Sequence, residues 1–166
     1  MLFDSASRPS HSTERLERRA LLAGELDPSF GGGDGIVTTD FTGFAEEAYA
    51  LALYPDGRIV AAGNVANGPV NGDDWVISRH LPDGTLDASF SGDGRIVEHV
   101  VGPIDRAFDV AVQADGKVVV AGYVWNPARS NDDMAVVRYN EDGTVDATFG
   151  TRGKALIDLS DVPDGS

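Results

Sequence analysis

The chain has no cysteine among its 166 residues. Disulfides, thiolate metal sites and cysteine nucleophiles are excluded, although the compartment is left open. Histidine is nearly as scarce: His11, His80 and His99 are the complete set of 3, and a cluster of imidazole ligands is not expected from them. Basic residues are few, with 13 Lys and Arg against 27 Asp and Glu, a net charge of −14. Such a surface argues against nucleic acid or an anionic membrane as partner, because both select basic protein. Apolar runs are short, Val118 to Ala121 being among the longest, whereas a spanning helix needs about 20 such residues. Gly-x-Ser-x-Gly, Walker-type and His-Glu-x-x-His signatures are all missing.

What is there suffices for a packed core, since 42% of residues are hydrophobic. The length suits one domain or an array of small repeats. Charge is unevenly placed. Residues 1–25 hold four Arg and four acids and are neutral, so the excess acid lies wholly in the remainder, with 13 − 4 = 9 basic and 27 − 4 = 23 acidic residues. Leu16, Ala20 and Ala23 share one helical face and Gly24 would stop a helix. Ala20 to Ala23 is too short for the apolar stretch of a standard signal peptide. Residues 1–25 are expected to be a leader, disordered or partly helical, and 160–166 a tail.

The rest of the chain repeats itself. Leu26-Asp27-Pro28-Ser29-Phe30 returns as Leu86-Asp87-Ala88-Ser89-Phe90 and as Val145-Asp146-Ala147-Thr148-Phe149, at steps of 60 and 59. Asp56-Gly57-Arg58 and the Val/Ile run ending at Gly63 return at Asp115-Gly116-Lys117 and Gly122, and Asp83-Gly84-Thr85 returns at Asp142-Gly143-Thr144. Several blocks in one order at one spacing establish a repeat of units about 26–85 and 86–145, with a closing strand to 159.

Each unit reads as four strands, roughly 47–54, 58–65, 74–81 and 94–100, then 106–113, 117–124, 133–140 and 153–159. Asp-Gly pairs after the first and third strands mark tight turns, because glycine accepts positive φ without steric cost. A further strand at 35–41 is expected to match the fourth strand of a unit. In the opening strands Tyr49, Leu51 and Leu53 oppose Ala48, Ala50 and Ala52, and Phe108, Val110 and Val112 oppose Ala107, Asp109 and Ala111. Each sheet then has one bulky and one small face, both largely apolar, and must lie between neighbours. The expected fold is all-β, a partial β-propeller of two four-stranded antiparallel blades plus one extra N-terminal strand. Two blades leave apolar faces open. The chain is then a fragment of a larger array, an assembler with its own copies, or a closed sandwich, and the first is preferred.

This repeated text, Leu-Asp-x-Ser/Thr-Phe, Asp-Gly-Arg/Lys with a Val/Ile run to Ala-Gly, then Asp-Asp, Arg and Asp-Gly-Thr, resembles the delta-60 repeat over about residues 26–159. That resemblance implies a bacterial β-propeller repeat of long exported or surface proteins, with no known activity and no catalytic residues. Leu16-Glu17-Arg18-Arg19-Ala20-Leu21-Leu22 resembles the LEPR-XLL leader of very large bacterial surface proteins, with Arg18 standing where that pattern has Pro. An extracellular or cell-surface location is what the two resemblances together imply.

Candidate chemistry is thin. Asp73 and Asp74, and Asp132 and Asp133, precede the third strands near Asn71 and Asn131 and are candidate calcium ligands, since Ca²⁺ gathers carboxylate, amide and carbonyl oxygens. The EF-hand pattern is missing, and Asp and Asn favour turns for local reasons, so structural turns are the preferred reading. Arg79 and Arg138 share one register and suit salt bridges with Asp87 and Asp146. Phe30, Phe90 and Phe149 read as plugs between units. Trp125, beside Asn126-Pro127, is the best single contact candidate, with loop packing as its plainer reading. His80 reads as a structural strand residue. The expected function is a non-enzymatic scaffold, adhesion or binding module with a protein or glycan ligand, no cofactor unless calcium, and further repeats or copies of itself as partners. A propeller hydrolase or lactonase, a calcium-stabilised module and a decayed reading frame are the alternatives.

Overall fold

Each repeat folds into one antiparallel sheet. The computed structural model describes residues 24–41, 45–66 and 72–158; the Leu16–Leu22 motif, His11 and Asn71 lie outside them. The first sheet comprises β1 (Glu46–Leu53), β2 (Ile59–Ala66), β3 (Asp73–His80) and β4 (Arg95–Glu98), hydrogen-bonded in that order. The second comprises β5 (Asp105–Val112), β6 (Val118–Asn126), β7 (Asn131–Tyr139) and β8 (Lys154–Ile157), in the same order. No helix is found among the described residues. The Asp-Gly turns carry positive φ at Gly57, Gly84, Gly116 and Gly143, a conformation that costs glycine nothing. At equivalent positions Asp56 and Asp115, Asp83 and Asp142, and Asp87 and Asp146 each accept the amide two residues on. Much of the excess acid is thus turn chemistry.

One core lies between the sheets. The first contributes Val60, Ala62, Trp75, Ile77 and Ile96, with Ala50 and Ala52 packed at its edge. The second contributes Val110, Val118, Val120, Ala135, Val137 and Tyr139. In the opening strands the small face of β1, Ala50 and Ala52, therefore meets the bulky face of β5, Val110 and Val112. Val60, Val118, Val120 and Val137 lose all solvent contact, each worth about 1.5–3 kcal/mol relative to exposure.

Two features depart from simple alternation. A β-bulge falls between Ala48 and Ala50 in β1 and between Ala107 and Asp109 in β5. It sends Phe108 outward while Val110 turns into the core, so these two do not share a face as strict period two predicts. Residues 35–41 form no strand. The fourth strand of a unit bonds the third strand of that same unit, as β4 does with Trp75–Ser78 of β3, and no such third strand precedes residue 35 among the described residues. The segment instead lies against the first sheet, where Asp40 carbonyl accepts from Arg95 and Gly31 N–H donates to Asp83 carbonyl.

Candidate functional site

The repeated arginine is a joint. Arg79 Nε donates to Asp87 Oδ2 at 2.8 Å, its Nη2 to Ser89 Oγ at 2.9 Å, and its Nη1 to the Glu141 carbonyl in the turn after β7. Its guanidinium lies 4.6 Å from the centre of the buried Phe90 ring. The Asp87 carboxyl is held below its ordinary range: burial opposes ionisation, but the Ser89 hydroxyl and amide and the Arg79 charge outweigh it. Arg138 repeats the bond to Asp146 at 2.8 Å and stacks on Phe149, yet remains half-buried. Asp146 is depressed more strongly, first by the Thr148 hydroxyl and then by Lys117. The aromatic plugs recur likewise. Phe90 sits against Gly143 and Phe30 against Gly84, and Ser91 N–H bonds the Asp142 carbonyl as Gly31 N–H bonds that of Asp83.

A second recurring device has no sequence signature. The carboxylate that opens a sheet gathers the linker before it. Asp105 accepts from the amides of Val100, Val101 and Gly102, and Glu46 accepts from that of Phe41. Asp105 is completely buried, and that burial raises its carboxyl above the ordinary range despite the three amide bonds. A single acid at a strand start looks like any surface acid in the text. Only the spacing of 59 between Glu46 and Asp105 hints at it.

The calcium candidates do not converge. Asp73 and Asp74 belong to β3, and Asp132 and Asp133 to β7, in different sheets. Neighbouring strand residues point to opposite faces, so neither pair can present two side chains to one ion. Asp73 accepts from Arg106 Nε at 2.6 Å, and Asp133 accepts from Asn126 at 2.7 Å. Asp74 instead faces His99, whose Nδ1 is 3.0 Å from its Oδ1 and 3.8 Å from Asp105 Oδ2. His80 is buried between the Gly84 carbonyl and Ser78 Oγ, as a structural residue. Trp125 lies within β6, half-buried, its amide bonded to the Ile104 carbonyl.

Exposed aromatic surface gathers elsewhere. The bulges bring the exposed Tyr49 and Phe108 within 5.5 Å of each other across the two sheets, and Phe108 lies 5.4 Å from the half-buried Tyr123 within the second. The Asp73–Arg106 pair lies beside them, and its hydrogen bond raises the Arg106 guanidinium above its ordinary value. Rings flanked by a carboxylate and a guanidinium can stack on a flat apolar surface and hydrogen-bond its polar rim.

Residues 55–90 and 113–149 match the family model described as a domain of unknown function (DUF5122) beta-propeller. These are β-propeller repeats. Each match runs from the turn after a blade's first strand to its aromatic plug, Phe90 or Phe149. No curated protein matches the chain. The joints, plugs and clasps above are thus the devices that set one blade against the next.

Proposed function

We propose that this chain is a non-enzymatic propeller segment, a scaffold or binding module of an exported or cell-surface protein, which packs face to face with further blades. One observation carries the reading: a face that is buried in the first blade recurs as an open face in the second. Val60, Ala62, Trp75, Ile77 and Ile96 are buried against the second blade. Their counterparts 59 residues on are Val119, Ala121, Met134, Val136 and Ala155, all half-exposed or exposed. The opposite side of the array is open too, with Leu51 and Leu53 each 70% exposed. Along the outer edge of that side, residues 26–41 repeat the docking of 86–100 on the second blade. Further repeats of the same chain therefore fit both sides, and copies of the chain are the alternative occupant. The delta-60-like text and the LEPR-XLL-like motif support a surface location, and the Tyr49–Phe108–Tyr123 patch supports a protein or glycan ligand.

The test compares equivalent positions. Val136→Glu should suppress concentration-dependent association in sedimentation velocity and leave the melting temperature within a few degrees. Ile77→Glu should unfold the protein, because it buries an unpaired charge. A wild-type chain that stays monomeric at all concentrations, or a Val136→Glu variant as unfolded as Ile77→Glu, would overturn the open-face reading. Turnover in a broad esterase and lactonase screen would overturn the non-enzymatic one.

A further inference from the structure

Where the two blades join, Asp74 of β3, His99 after β4 and Asp105 at the start of β5 bring three ligand atoms within 4.8 Å of one another. We propose that this group is a divalent transition-metal site, suited to Zn²⁺, that clamps the first blade to the second.

The donor set comes first. One imidazole and two carboxylates suit zinc and its neighbours rather than calcium, which gathers six to eight oxygens. Tetrahedral zinc, with bonds near 2.0–2.2 Å, places adjacent ligand atoms about 3.3 Å apart. His99 Nδ1 lies 3.0 Å from Asp74 Oδ1 and 3.8 Å from Asp105 Oδ2, either side of that value. The three side chains can therefore close on an ion with only small adjustments.

Pre-organisation comes next. Three backbone amides fix the Asp105 carboxylate, much as outer hydrogen bonds orient a metal ligand in an established site. Asp105 has no solvent exposure, whereas the His99 side chain is 62% exposed, so an ion has an entry path and open positions for water. A buried carboxylate beside a second one also gains from a divalent cation, which offsets charge that burial disfavours.

Position in the repeat sets the site apart. The residues 59 before and after His99 are Asp40 and Asp158. An architectural residue recurs from unit to unit, as Arg79 and Arg138 do. His99 does not, and it is the member that converts an acidic junction into a mixed nitrogen and oxygen donor set.

Isothermal titration of the full-length, tag-free, chelator-treated protein with zinc chloride tests the proposal, with thermal melts in zinc, calcium and magnesium alongside. The expected result is near one-to-one binding and a rise in melting temperature with zinc but not with calcium or magnesium. His99→Ala should weaken zinc binding roughly tenfold or more and abolish the zinc-dependent rise, while melting like the wild type in chelator because its side chain is mostly exposed. Asp74→Asn should act in the same direction. No heat and no rise with zinc in the wild type would overturn the proposal, as would a His99→Ala variant that binds zinc as tightly as the wild type.

Discussion

The same arginine plays two energetic parts in this chain, and burial decides between them. Arg79 and Asp87 are both withdrawn from water, and every polar arm of the guanidinium is used. Removing it strips the buried Asp87 of its hydrogen-bonded counter-charge and leaves only Arg58, 3.8 Å away; breaking a buried pair outright ordinarily costs about 3–5 kcal/mol. Arg138 keeps solvent contact, and Lys117 holds its partner Asp146 directly at 2.9 Å, where the equivalent Arg58 stands 3.8 Å from Asp87. Arg79→Ala should therefore lower the urea midpoint far more than Arg138→Ala, although the two occupy one register. Equal losses would show that sequence register rather than burial sets the worth of the pair. Recurrence of Arg and Asp at fixed spacing makes the pairing itself legible in the sequence. The difference in burial is not legible there, because it depends on which face a neighbouring blade covers.

At the scale of strands, the Asp-Gly turns and apolar runs place all eight strands within a residue or two. They fail at 35–41, where apolar text lacks a strand to pair with: a propensity cannot report a missing ladder. The bulges also escape strict period-two reading, which puts Phe108 on the core side. Their compensation is visible in the glycines that end the Val/Ile runs. Gly63 pairs with Ala48 and Gly122 with Ala107, beside the two bulges. A Cβ at Gly63 would stand 1.8 Å from the Glu47 carbonyl oxygen, and one at Gly122 would stand 2.0 Å from that of Arg106. Those atoms are backbone and cannot swing aside, so the repeated Ala-Gly marks a close approach of strands. Gly63→Ala and Gly122→Ala should each destabilise by about 1–3 kcal/mol, measured as a shift in urea midpoint. A neutral alanine at either position would mean that the bulge relaxes at no cost. The candidate site is the least legible feature. Paired aspartates suggest ligands, but adjacent strand residues diverge. The residues that converge, Asp74, His99 and Asp105, are scattered over 32 positions of the chain and meet only at a blade junction.

For the molecule as a whole, the decisive fact is that the two sheets share one core. Neither sheet could keep Val60, Ile77, Val120 or Val137 dry alone, and a small isolated sheet buries too little to stand. Unfolding should then be a single cooperative event, with neither blade melting first. The two tryptophans make this testable, since Trp75 lies in the first blade and Trp125 in the second. Trp125→Phe leaves fluorescence from the first blade alone, and Trp75→Phe leaves it from the second alone. In each protein the fluorescence transition in urea should coincide with the loss of β-sheet circular dichroism. A further substitution in the far blade sharpens the test. Val120→Ala, fully buried on β6, should cost about 2 kcal/mol and shift the Trp75 signal of the Trp125→Phe protein by the full amount. If Trp75 kept its midpoint while the dichroism moved, the blades would be folding independently. The surface between them would then be a contact between finished modules rather than the core of one.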